Sequence, residues 1–171
     1  MLLESLRMML AYDTWANGRL FDMVAQLDAA QFAASGAASF GSVHDTLAHL
    51  ISAQQLWLAR LRGETDPRDL SAEAVADRVT MRAEWERITA ATEAYLATLT
   101  NDDIAQIIRY TNTEGEPNAY PAWQLLFHMV NHAAQHRSEV ATMLTQFGHS
   151  PGWLDFLYYL DLCNGTTVHD S

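Results

Sequence analysis

The stretch Pro121–Phe147, PAWQLLFHMVNHAAQHRSEVATMLTQF, decides the fold. Pro121 suits the first position of a helix, where its missing N–H would have no partner anyway, and Gly148 ahead of Pro151 supplies a stop. Between them Leu126, Met129, Ala133, Val140, Met143 and Leu144 recur at helical spacing, so the period predicts one long helix with an apolar face. His128, His132 and His136 are four residues apart on it, each step turning only about 40°, so they share a side. The apolar stripe passes close to His136 and near His132 and leaves His128 towards its edge. His132 and His136 thus form an inward HxxxH pair whose imidazoles can converge on one ion at about 2.0–2.1 Å from each nitrogen.

Working outward, three further stretches carry the same period. Leu6, Leu10, Leu20, Val24 and Leu27 predict a first helix from Leu2 to Leu27, followed by a connection from Asp28 to Gly41 rich in Ala, Ser and Gly. Ser42 with Asp45 three residues on resembles a capping box, so a second helix is expected from Val43 to Arg62, ended by Gly63. Glu64 to Asp77 reads as a polar loop. Met81, Trp85, Ile88, Tyr95, Leu96 and Leu99 mark a third helix, closed by Asn101 and Asp102. Ile104 to Tyr110 and the turn-forming run after it predict a small hairpin outside the helices, and Trp153 to Leu160 a short aromatic helix. The expected class is an all-α four-helix bundle, with residues 1–171 forming a single domain.

Composition narrows the function. A chain of 171 residues, 49% hydrophobic, buries roughly 70% of its unfolded surface and needs no metal merely to fold, so a metal here would serve chemistry. The net charge of −11 repels phosphate backbones and anionic lipid, which speaks against nucleic-acid and membrane partners. All ten basic residues are Arg, which excludes lysine Schiff-base chemistry and a phosphate-loop lysine. The single Cys163 cannot form an internal disulfide, the N-terminal residues lack a secretory signal pattern, and no apolar run reaches the roughly 20 residues of a membrane span. The expected compartment is the cytoplasm.

Two imidazoles leave half a coordination sphere empty, and the second helix offers His49 as the third ligand. The densest apolar stripe of that helix, Leu47, Leu50, Trp57, Leu58 and Leu61, is centred on another side. The helix is nonetheless apolar around most of its circumference, so its His49 face is free to meet the fourth helix. The alternative is that these histidines are hydrogen-bonded core groups that hold no ion. The metalloprotease HExxH pattern is absent, since Asn131 and Ala133 flank His132, and so is the Glu-x-x-His pair of di-iron bundles. Three neutral imidazoles with an open fourth position suit Zn first, with Ni, Fe or Mn also served by imidazole. Glu139 and Asp45 are spaced to hold the second ring nitrogen of His136 and His49, or else are solvated or capping carboxylates. Arg137 is expected to point outward into an ion pair.

At these residues the chain resembles the DinB-like family (DinB/YfiT-like) over nearly its whole length. Tyr12-Asp-Thr-Trp15-Ala-Asn17 is similar to the family's Tyr-Asn-x-Trp-Ala-Asn segment, with Asp13 in place of the usual Asn. Ser42-Val-His-Asp-Thr-Leu-Ala-His49 with Trp57-Leu-Ala-Arg60 and Gly63 resembles the segment carrying the first metal histidine. His128-Met-Val-Asn131-His132-Ala-Ala-Gln-His136-Arg137 resembles the His-x-x-Asn-His-x-x-x-His-Arg element. The resemblance implies an antiparallel bundle with a long crossover, a homodimer, and a divalent metal, Zn or Ni, on His49, His132 and His136, with His44 non-ligating. It further implies that a low-molecular-weight thiol is activated on the metal and transferred to a small-molecule electrophile, in detoxification or stress response.

The remaining notable residues are read as structural. Cys163 is expected to be a small buried hydrophobe, most of Trp15, Trp57, Trp85, Trp123 and Trp153 to be core, and Asn17 and Asn131 to be buried anchors. His149 and His169 receive no role. Three functions stay open: a metal-dependent enzyme using thiol or water, a non-catalytic dimeric binding module whose histidines only make hydrogen bonds, and an inactive metal-binding stress protein that retains the site without turnover.

Overall fold

The computed structural model describes residues 1–36, 38–64, 70–71 and 73–165. Four long helices carry the fold: α1 (Leu2–Val24), α3 (Val43–Leu61), α4 (Arg78–Thr98) and α6 (Ala122–Gln146). Short helices α2 (Ala29–Ala33), α5 (Asn101–Ala105) and α7 (Phe156–Cys163) and the strands β1 (Ile107–Thr111) and β2 (Pro117–Pro121) complete it.

The termini follow local chemistry. Ser42 caps α3 by accepting the Asp45 N–H, and Asp28, Asp77, Thr100 and Asp155 cap α2, α4, α5 and α7 through their side-chain oxygens. Gly63 ends α3 with φ at 71°, a left-handed conformation that only glycine adopts without strain. Its N–H bonds to Arg60 O while Glu64 N–H reaches back to Ala59 O, which also accepts the Arg62 N–H, so carbonyls of the last turn are satisfied. Three expectations shift. The first helix ends at Val24, because Asp28 opens α2 as an N-cap. Asn101 and Asp102 begin α5 instead of closing the third helix, since Thr100 caps a new turn. The aromatic helix starts at Phe156, where Asp155 caps it, and runs to Cys163.

Contacts give the helix directions. Arg82, near the start of α4, pairs with Asp22 near the end of α1, and Arg7, near the start of α1, bonds Leu96 O and Leu99 O at the far end of α4, so these helices are antiparallel. His49 meets His132 while Trp57 meets His128, which makes α3 antiparallel to α6. Gln54 reaches Thr89 and Thr92, and Tyr95 reaches Leu61 O, so α3 and α4 run the same way. A connection between parallel neighbours must return the length of the bundle. Residues 62–77 connect these two helices, and Val75 O near the start of α4 receives His44 Nε2 beside the start of α3.

The hairpin β1–β2 pairs antiparallel from Ile107↔Pro121 to Thr111↔Pro117. Asn112 closes its turn by accepting the N–H groups of Glu114 and Glu116, as its asparagine character predicts. Pro121 ends β2 and serves as the N-cap of α6, one place earlier than the first helical residue expected of it.

Two apolar clusters fill the bundle. One gathers Leu20, Phe21, Val24, Leu47, Ile51, Met81, Trp85, Val140 and Leu144. The other gathers Leu3, Leu6, Leu10, Leu61, Leu96, Leu126 and Met129. Each fully buried leucine contributes roughly 1.5–3 kcal/mol. Between them, at mid-bundle, lie the polar residues of α1, α3 and α6. Only Trp85 of the five tryptophans is buried, and it stacks on Phe21 at 4.7 Å; the others exceed the interior's capacity for rings and lie at its margins. Cys163 is exposed at the end of α7, against the buried place expected of it, and Asn131 is exposed on the outer side of α6. His169 lies outside the described residues. No helix among the described residues is long and apolar enough to cross a membrane.

Candidate metal centre

The polar layer brings three histidines together. His49 comes from α3, His132 and His136 from α6, and one ring nitrogen of each lies within 4.8 Å of the others. His49 Nε2 and His132 Nε2 are 3.1 Å apart, close to the roughly 3.3 Å edge of a tetrahedron with 2.0–2.1 Å metal–nitrogen bonds. Ring centroids are separated by 5.0 Å (His49–His132), 4.9 Å (His49–His136) and 4.6 Å (His132–His136). His136 is buried and the other two are half-buried, so the group faces an opening on one side. The off-stripe position of His49 on α3 is resolved by packing: its face meets α6, while Leu47 and Ile51 feed the apolar cluster beside it.

At His132 and His49 electrostatics favour the neutral form, the one a metal ligand requires. Burial, reinforced by His136, His49 and His128, pushes His132 down to about 4. Burial and His136 also lower His49 from its ordinary value, with Glu139 opposing. Glu139 lies 3.0 Å from His136 Nδ1 and accepts its N–H. Although burial works to raise it, the hydrogen bonds from Ser39 and His136 hold its carboxyl below the usual range. Of the two carboxylates expected behind the ligands, Glu139 takes that position. Asp45 does not: it bonds His44 Nδ1 at 2.7 Å and Ser42, because at the first turn of α3 it faces the cap. His44 is turned away from the cluster towards Val75 O.

Arg137 corrects a second expectation. It is buried, 3% exposed, and turns inward to α1, where it pairs with Asp13, donates to Asn17 Oδ1 at 3.2 Å and to Tyr12 Oη at 3.3 Å. Asn17 also donates to Asp13 Oδ2, so the residue is the interhelical anchor expected of it. This network locks α1 to α6 one residue past His136. Burial pushes the Asp13 carboxyl up, and the Arg137 charge and the hydrogen bonds from Arg137 and Asn17 partly offset that.

Phe40 is the residue that periodicity missed. It lies on the loop before α3, stacks on His49 at 3.9 Å and meets the edge of His136 at 5.3 Å, while remaining 40% exposed. Ser39 beside it bonds Glu139. No spacing rule marks a loop residue, so only the fold reveals it. On the inner side a narrow cavity of about 30 Å³ is lined by His132, Asp13, Asn17, Gln54, Trp57 and Met129. That is room for one or two waters.

Beyond the ligand cluster His128 is exposed, 5.8 Å from His132 by ring centroids and edge-on to Trp57 at 4.7 Å. It is not part of the three-nitrogen group.

A profile of the DinB family matches residues 1–166. The chain is also similar to Protein DinB of Bacillus subtilis (strain 168), 25% identical over 157 residues that cover 87% of this chain and 90% of that protein. With the bundle, its crossover and the histidine cluster at mid-bundle in place, the profile match over nearly the whole length settles the kinship: the chain belongs to the DinB family.

Proposed function

We propose that His49, His132 and His136 hold one divalent metal ion, Zn or Ni, and that the protein is a mononuclear metal-dependent enzyme. It activates a low-molecular-weight thiol, or water, for transfer to a small electrophile, in detoxification or stress defence in the cytoplasm. The observation that carries this reading is the convergence of three ring nitrogens within 4.8 Å. Three imidazoles leave a coordination position for an exchangeable partner, and a bound ion there supplies Lewis acidity that favours the deprotonated thiol or water. The chain's own residues do the rest. Glu139 orients His136 through Nδ1, Phe40 covers the outer face of His49, and the small inner cavity limits access from the core side to water-sized molecules. The exposed Trp153, Leu157 and Leu162 at the C-terminal end supply apolar surface for the second copy that the family resemblance implies.

The 3.1 Å approach of His49 to His132 also fits a hydrogen bond between neutral rings, which is how a non-catalytic binding module would use them. Elemental analysis of protein purified without an affinity tag separates the two. The enzyme reading expects about one equivalent of metal, lost in His132→Ala. It also expects a chelator to lower the melting temperature by several degrees, since a ligand at a hundredfold excess over its Kd adds about 2.7 kcal/mol. Metal-free protein indifferent to chelator establishes the hydrogen-bonded module instead.

A further inference from the structure

We propose that Arg60 is a carboxylate-recognition residue, and that the thiol used at the three-histidine site carries a carboxylate at the end remote from its sulfur. The proposal rests on the metal–thiol reading above. It starts from Arg60 itself. The guanidinium is half-buried between two rings, with Cζ 4.6 Å from the centre of Trp57 and 4.3 Å from that of Tyr110. Among the described residues it donates once, to Thr111 O at 3.4 Å, of the five N–H groups it possesses. Among the described residues no carboxylate lies within ion-pair distance of it, whereas Arg7, Arg62, Arg82, Arg87 and Arg137 each have one. A guanidinium held by its faces keeps its edge for a planar anion, the arrangement in which arginine reads carboxylate.

Position connects it to the site. The ring centroids of Trp57 and His128 are 4.7 Å apart and those of His128 and His132 5.8 Å apart, so a line of rings runs from Arg60 to the histidine cluster. The inner cavity has room only for one or two waters, which places the body of any larger ligand along this outer line. A ligand anchored by sulfur at the histidines has one end fixed, and the ring steps of 5.8, 4.7 and 4.6 Å from His132 through His128 and Trp57 to Arg60 set the direction and scale of the tail that would meet the guanidinium. In a protein of net charge −11, a cation with no carboxylate partner among the described residues is what favours the approach of an anionic thiol.

Two thiols of equal length test this, 6-mercaptohexanoate and 6-mercaptohexanol. Titrated into cobalt(II)-loaded protein, each reports its Kd through the thiolate-to-cobalt charge-transfer band. The carboxylate thiol is expected to bind about tenfold tighter, the scale of a charge-assisted pair at a half-exposed site. In Arg60→Gln the preference should vanish while the neutral thiol's Kd stays unchanged, and Arg60→Lys should recover only part of it. A second measurement needs no variant fold: in ¹⁵N-labelled wild-type protein as purified, the Arg60 Nε–H resonance should shift with 6-mercaptohexanoate and stay still with 6-mercaptohexanol. Equal affinities in the wild type, a preference that survives Arg60→Gln, or an immobile resonance each overturn the proposal. A shifted resonance with no charge-transfer band from either thiol overturns the metal–thiol reading and leaves Arg60 as a carboxylate site.

Discussion

Glu139 accepts a hydrogen bond from Nδ1 of His136 at 3.0 Å, and its other oxygen is held by Ser39. Donation through Nδ1 fixes the tautomer, so Nε2 carries the lone pair, and the negative partner makes that lone pair more basic. A neutral Gln keeps the shape and loses the charge. Glu139→Gln is therefore expected to weaken metal affinity by about 10- to 100-fold, read by competition with a chromophoric chelator, with little change in helical content. Unchanged affinity would show that Glu139 is an ordinary surface carboxylate.

Much of this arrangement was legible from spacing alone, and the limits of legibility have physical causes. Helical period and the Gly63 and Gly148 stops located the long helices, and four-residue spacing put His132 and His136 on one side with His128 at the edge. The same logic failed for Arg137 because charge was read as a preference for water. Its neighbour on the facing helix, Asp13, is what allows the charge to be buried, and that pairing spans 124 residues. Asp45 misled for the opposite reason. Helical spacing placed it near His49, but a residue in the first turn is drawn to the cap. Phe40 carries no periodic signal, since loops are positioned by what they cover.

The Asp13–Arg137 pair separates charge from hydrogen bonding. Asp13→Asn retains an oxygen acceptor for Arg137 and is the residue usual in the resembling segment, so it is expected to lower stability by only about 1–2 kcal/mol. Asp13→Leu leaves a buried guanidinium without its carboxylate and is expected to lower stability by about 3–5 kcal/mol. Urea denaturation of the two variants checks the order. Equal losses would mean that the network contributes shape and not charge compensation.

Phe40 stacks on one ligand and touches another while making few demands on the core. Phe40→Ala is expected to change stability by less than about 1 kcal/mol, since the ring is substantially exposed. Its effect should fall on exchange: removing the cover opens the outer face of His49, and the rate at which a chelator extracts metal should rise several-fold at constant equilibrium affinity. A rate equal to wild type would show that Phe40 does not gate access.

The histidine cluster makes stability depend on pH in a defined direction. His132 titrates near 4 in the folded chain against an ordinary 6.5, and His49 is lowered as well. Below 6.5 the unfolded chain takes up a proton at His132 that the folded chain refuses, so unfolding gains as the pH falls. The associated stability is fully present above 6.5, is lost progressively on the way down, and stops changing below about 4. Metal strengthens the trend, because the proton and the ion compete for one lone pair. Chelator-treated wild type is expected to lose melting temperature between about pH 7 and about pH 4.5 faster than His132→Gln, whose side chain cannot titrate. Asp13 and Glu139 titrate in both proteins and so drop out of the difference. Parallel curves would mean that His132 is accessible to protons in the folded state.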